Sequence, residues 1–196
     1  EQEFRYILDD TTSIYHSRIH CNKKVTKDNL KKMEERLPVA INLLPNISFD
    51  VIGYACTSGA TFIGSEMISN IIKSQRNCNH VTDPIKAVKA ALNKLNCKNI
   101  GFVSPYERGV TEGMRSHLED EGFKIKNILA YEESDDTVVA RISEKDTLNA
   151  ACKVYTRECD AIFISCTNLK TFKIIKKVEQ RLKIPCLLYT SPSPRD

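Results

Sequence analysis

Two segments of this 196-residue chain repeat one pattern: Cys56-Thr57-Ser58-Gly59-Ala60-Thr61-Phe62 and Cys166-Thr167-Asn168-Leu169-Lys170-Thr171-Phe172 both read C-T-x-x-x-T-F. Each follows a short apolar run of strand character. A cysteine between a strand's carboxyl end and a helix N-terminus faces unpaired N–H groups and the positive end of the helix dipole. That setting favours thiolate and predicts a pKa below the ordinary value of about 8.5. The same N–H groups, with the side chains of Thr57, Ser58, Thr167 and Asn168, can hold a carboxylate. Two such thiols on opposite sides of a small acid could act on both faces of the carbon next to the carboxylate, with no cofactor. The expectation for reactivity is that Cys56 alkylates ahead of Cys97 or Cys152.

The remaining chemistry-bearing residues form no second pattern. The chain has eight cysteines but no C-x-x-C pair, so reduced thiols are expected, with Cys21, Cys78, Cys97, Cys152, Cys159 and Cys186 packing as small hydrophobes. His16, His20, His80 and His117 share no ligand spacing, and H-E-x-x-H, P-loop and G-x-G-x-x-G motifs are absent, so no metal or nucleotide is expected. The net charge of +4 arises from 29 basic and 25 acidic residues mixed along the chain, which argues against a nucleic-acid surface. The lysines within 23–32 read as the solvated face of an amphipathic helix. No run approaches the roughly 18 apolar residues of a membrane span, and residues 1–10 carry no signal-peptide core, so a cytoplasmic protein without membrane partners is expected.

Such a site needs parallel strands whose carboxyl ends meet helix starts. Apolar, β-branched runs predict strands at 13–19, 49–55, 99–104, 123–130, 161–165 and 184–187. Helical periodicity fills 27–44, 64–74, 84–95, 110–121, 145–157 and 168–182, with caps at Thr26, Asp83-Pro84 and Gly122. The alternation gives an α/β fold of two Rossmann-like lobes, each a parallel sheet covered by helices, with the active site in the cleft between them. The repeat supports two related lobes. The lobes are placed at 1–85 and 86–187, with the seam between 82 and 98, and 188–196 reads as a non-native tail. The chain reads as a fragment of a longer protein.

Five segments in order carry a family resemblance: 50–59 (DVIGYACTSG), 81–84 (VTDP), 104–106 (SPY), 139–142 (VARI) and 165–169 (SCTNL). Over roughly residues 1–185 the chain resembles maleate cis-trans isomerases and ectoine-utilisation proteins of the aspartate/glutamate racemase superfamily. The resemblance implies that Cys56 attacks an alkene as thiolate, giving a succinyl-type adduct, and that Cys166 donates and accepts the proton. It implies that Tyr106 joins Thr57 and Ser58 around one carboxylate. The family's early Ser-Ser-Asn motif is expected just before Glu1. Asp136 stands where maleate isomerases carry an asparagine; an acid there weakens dianion binding and is similar to the ectoine-utilisation branch. The expected partners are a small carboxylate substrate and further copies of the chain, as dimer or tetramer. The rival readings are an aspartate/glutamate-type racemase, an arylmalonate-type decarboxylase, which carries glycine at the first cysteine, and a non-catalytic anion-binding module.

Overall fold

Parallel strands connected by helices dominate the computed structural model, which describes residues 3–188; residues 189–196 of the expected tail lie outside it. In chain order the elements are a 3-10 helix (Phe4–Tyr6), α1 (Lys27–Asn42), β1 (Phe49–Gly53), α2 (Thr57–Ile63), α3 (Ser65–Gln75), β2 (Cys78–Thr82) and α4 (Pro84–Lys94). There follow β3 (Asn99–Tyr106), α5 (Arg108–Asp120), β4 (Lys124–Glu133), α6 (Asp136–Val139), α7 (Glu144–Val154), β5 (Ala161–Ile164), α8 (Phe172–Leu182) and β6 (Cys186–Leu187). One sheet pairs β1 with β2 and the other runs β4-β3-β5-β6, every pairing parallel.

The central strands of the larger sheet, β3 and β5, are buried on both faces, which is why they read as apolar runs rather than alternating ones. Ile100, Phe102, Val103, Ile162, Phe163 and Ile164 are wholly buried, and the rings of Phe102 and Phe163 stack at 5.5 Å. Gly101 permits this: a Cβ there would lie 2.8 Å from Ile162 Cδ1 and 3.2 Å from the Val154 carbonyl oxygen. One hydrophobic cluster continues from this sheet through α4 to the smaller sheet and α1.

The caps act as expected. Thr26 Oγ1 accepts from Asn29 N at 3.3 Å, Asp83 Oδ1 accepts from Lys86 N at 2.9 Å, and Gly122 follows α5 at φ +85°. Several expectations fail for identifiable reasons. Residues 13–19 form no strand; their extended chain lies along α1, held by Ser17 Oγ donating to Ala40 O and by an edge-on contact of Tyr15 with Phe49. Alternation alone makes no strand without an edge to pair with. Conversely, β2 (Cys-Asn-His-Val-Thr) is too polar to be read from sequence and forms because β1 offers a partner, with only Val81 buried.

The two C-T-x-x-x-T-F segments also fold differently. The first enters α2 directly, with Cys56 as N-cap, whereas the second makes a turn over 167–169 and α8 starts only at Phe172. Cys166 is therefore not at a helix N-terminus. In the first copy Gly59-Ala60 fits a tight helical turn against Tyr54. In the second, Leu169 is buried in the core and the start of α8 is capped by Glu3, whose Oε1 accepts from Thr171 N and Phe172 N.

Candidate active site

A pocket enclosing about 210 Å³ opens at the carboxyl ends of β1, β3 and β5. Its lining combines Cys56 and Ser58 from the start of α2, Tyr106 from the end of β3, Asp136 from α6, and Thr167 and Asn168 from the turn after β5. Cys21, Val25, Leu30, Met33 and Ala55 complete the wall. A space of this size suits a molecule of a few carbons, being smaller than pockets for drug-sized ligands.

Local structure fixes each polar group. Cys56 Sγ accepts from Gly59 N at 3.3 Å, taking the place of the serine or aspartate oxygen of an ordinary N-cap. Gly59 is obligatory there, because a Cβ would overlap Tyr54 Oη and sit 3.1 Å from Cys56 Sγ. Tyr106 is anchored through its backbone: its N–H donates to Ser104 Oγ at 3.3 Å, and its carbonyl accepts from Thr111 Oγ1 at 3.0 Å. Pro105, which cannot donate to the ladder, sits at the register shift between β3 and β4. β5 stops beside the end of β3, where Ser165 donates through N and Oγ to Val103 O, and this delivers Cys166.

Each sulfur lies beside a hydroxyl. Tyr106 Oη donates to Cys166 Sγ at 3.0 Å, while Ser58 Oγ lies 3.7 Å from Cys56 Sγ. Cys166 Sγ further accepts from Asn168 N at 3.3 Å. Cys166 is buried at 1% exposure behind Tyr106, whereas Cys56 is partly open to the pocket.

In the empty site, burial works against the expected thiolates. Burial pushes the Cys56 thiol up despite the Gly59 N–H and the Ser58 hydroxyl, and the nearby Asp136 charge pushes the same way. Burial raises Cys166 to about 12, against the opposing hydrogen bonds from Tyr106 and Asn168 N. Desolvation of a thiolate outweighs two hydrogen bonds and, for Cys56, a helix start of seven residues. Tyr106 is likewise raised well above its usual value, first by burial and then by the two cysteines.

Of the expected residues, Cys56, Ser58, Tyr106, Asp136, Thr167 and Asn168 reach the pocket wall, but Thr57 and Cys166 do not. Thr57 is fully buried, and its Oγ1 has no hydrogen-bond partner among the described residues. A side chain one residue into a helix points away from the face that its neighbour presents. Thr167 Oγ1 donates to Ala55 O at 3.0 Å, tying the two sheets' ends together, and Asn168 Nδ2 donates to Asp136 O at 3.0 Å. Cys21, expected to pack, is instead an exposed thiol on the pocket rim, raised by partial burial and then by the Cys56 and Asp136 charges. Nothing in its spacing reveals this: residues 22–25 are drawn to the site by the Lys24–Asp135 bridge and by Val25 N donating to Ser134 O. All eight cysteines are unpaired, and no group of three His, Cys, Asp or Glu among the described residues is placed to hold a metal.

The family model for arylmalonate decarboxylase matches residues 17–193. The chain belongs to the arylmalonate decarboxylase family. Within this family it is similar to the maleate isomerase of Geobacillus stearothermophilus, 22% identical over 195 residues, covering 95% of this chain and 77% of the relative. Among solved structures it superposes on Nocardia farcinica maleate cis-trans isomerase with a TM-score of 0.78 at 23% identity, covering 90% of this chain and 75% of the other. It superposes on the maleate isomerase of Pseudomonas putida S16 with a TM-score of 0.75 at 22% identity, covering 86% and 70%. These likenesses place the α/β fold, with its helix-covered parallel sheets, among maleate-isomerase-like members of the aspartate/glutamate racemase superfamily. No helix among the described residues is long and apolar enough to cross a membrane.

Proposed function

We propose that this chain is a cofactor-independent cis-trans isomerase that acts on a small carboxylic acid through Cys56 and Cys166. The observation that carries the reading is the two thiols each beside a pocket hydroxyl, Cys166 accepting from Tyr106 Oη at 3.0 Å and Cys56 lying 3.7 Å from Ser58 Oγ. Two relatives support it: the Nocardia structure holds a covalently bound succinylcysteine intermediate, and the Pseudomonas structure holds maleate.

In this reading Cys56 loses its proton to solvent, and the thiolate sulfur bonds to one alkene carbon while the π pair moves to the neighbouring carbon. That carbon takes a proton from Cys166, and the central bond, now single, rotates. Cys166 retrieves the proton, the π bond reforms, and the C–S bond breaks with its pair returning to Cys56. On binding, the Ser58 and Tyr106 hydroxyls turn their protons from the sulfurs to the substrate carboxylate. Incubation with a cis-enedioate followed by intact-protein mass spectrometry tests the step: an adduct is expected in the Cys166→Ser chain and none in Cys56→Ser.

A second reading, in which the two cysteines only exchange the α-proton of an amino acid, is favoured by one observation. Both sulfurs are raised by burial, which makes the thiolate of one a stronger base toward an α-proton while the other, as thiol, returns a proton. Deuterium entering the α-carbon from solvent, with no adduct in any variant, would select it.

A further inference from the structure

The charge inside the pocket is the opposite of what a dianion requires. Its lining holds one formally charged side chain, Asp136, and no Lys, Arg or His. Two basic groups on neighbouring segments are engaged elsewhere: Lys23 Nζ pairs with Asp135 at 3.2 Å, and Arg36 donates to His20 O and to Asn22 Oδ1. The Asp136 carboxylate takes no hydrogen bond from any described side chain or amide, although its backbone is held at both ends. Its N–H meets Lys23 O, and its carbonyl accepts from Asn168 Nδ2. The carboxylate is thus on a fixed backbone with its own oxygens unclaimed, and its field reaches Cys21, Cys56 and Cys166 alike.

The hydroxyls of Ser58 and Tyr106 supply the donors on the wall of the same pocket. A ligand filling the space therefore meets donors at one place and an uncompensated anion at another. Two carboxylates fit this poorly, because the second meets Asp136 in a half-buried site where water screens little. One carboxylate and one ammonium satisfy both.

We propose that Asp136 selects a small zwitterionic acid, one carboxylate toward Ser58 and Tyr106 and one amino group toward Asp136, over a dicarboxylate of the same length. The inference rests on the two-cysteine site proposed above and narrows its substrate. An ammonium bound at Asp136 offsets the like charge that opposes thiolate at the two sulfurs.

Calorimetric titration of the full chain with two matched pairs tests this: cis-4-aminocrotonate against maleate, and 4-aminobutyrate against succinate. The expected result is that the amino member of each pair binds at least about tenfold tighter, as expected for one added charge pair in a partly screened site. Asp136→Asn, nearly isosteric and made where the carboxylate supports no hydrogen bond, should bring the ratio to about one or reverse it, with an unchanged melting temperature. Equal or tighter binding of the dicarboxylates by the wild-type chain overturns the proposal, as does failure of both amino acids to bind, or a preference that persists in Asp136→Asn. The wild-type comparison stands even if the variant folds poorly. Binding is read without turnover, so it can also be measured in Cys56→Ser. Failure of the isomerase reading shows instead as absence of the adduct, a separate result.

Discussion

Cys56 and Cys166 share a residue type and a sequence motif, but their surroundings differ, and the difference predicts different mutant behaviour. Cys56 is partly open and touches Ser58, whereas Cys166 is buried behind the Tyr106 hydroxyl. Cys56→Ser is expected to abolish both turnover and adduct, since a serine hydroxyl without an adjacent base is a poor nucleophile toward an alkene. Cys166→Ser should keep adduct formation and slow turnover by about 10² to 10⁴, the range for one lost acid-base group. Tyr106→Phe removes the donor to Cys166 and one hydroxyl from the pocket. Its expected cost is about 10²-fold or more in kcat, read by steady-state assay with the acid that binds tightest in the titration. Iodoacetamide should label Cys56 slowly at neutral pH, with a rate that keeps rising well past the ordinary thiol range, because burial holds its proton. Fast labelling at pH 7, ahead of the exposed Cys21, would contradict the protonated state derived for the empty pocket.

At the scale of elements, the start of α2 is the most tightly specified part of the site. Gly59 brings its amide to Cys56 Sγ only because no Cβ intervenes between it and Tyr54 Oη. Gly59→Ala is expected to destabilise the chain by about 1–3 kcal/mol through overpacking, measurable by urea denaturation. Activity should fall further than stability explains, as the shift displaces the cysteine cap itself. The turn after β5 depends on hydrogen bonds rather than on packing. Thr167→Val removes the bond to Ala55 O that ties the ends of β1 and β5, for an expected loss of about 1 kcal/mol.

For the whole molecule, the buried thiols make stability pH-dependent with a definite sign. Burial raises Cys56, Cys166 and Cys186 in the folded chain above the ordinary thiol value, Cys166 to about 12. Above about pH 8.5 the unfolded chain releases these protons first, so the folded state binds more protons and unfolding becomes easier as pH rises. The contribution is fully present below about pH 8.5 and is lost progressively as pH climbs toward about 12. Each group adds a slope of at most about 1.4 kcal/mol per pH unit. Urea midpoints should therefore fall steadily between about pH 8 and pH 10, and Cys166→Ser should show a shallower fall. A flat profile in the wild-type chain would mean that these thiols are solvated.

Much of this was readable from the sequence. Unbroken apolar runs such as 99–104 and 161–165 gave the buried parallel strands, since only a sheet covered on both faces removes the need for alternation. Thr26, Asp83 and Gly122 marked helix ends because capping is local chemistry between residues three or four apart. The repeated motif picked out both cysteines and most of the polar groups of the pocket. Tertiary structure alone decided whatever depended on distant partners. It made a strand of 78–82 and none of 13–19, because a strand exists only where another strand accepts its hydrogen bonds. It gave one copy of C-T-x-x-x-T-F a helix and the other a turn, according to what each packs against. It brought Cys21 to the rim of the pocket through contacts between residues 22–25 and the loop after β4. Above all it set the charge state of the thiols. The helix start that favours thiolate is visible in the sequence, but the burial that opposes it arises only when Tyr106, Asp136 and the ends of three strands close around the sulfurs.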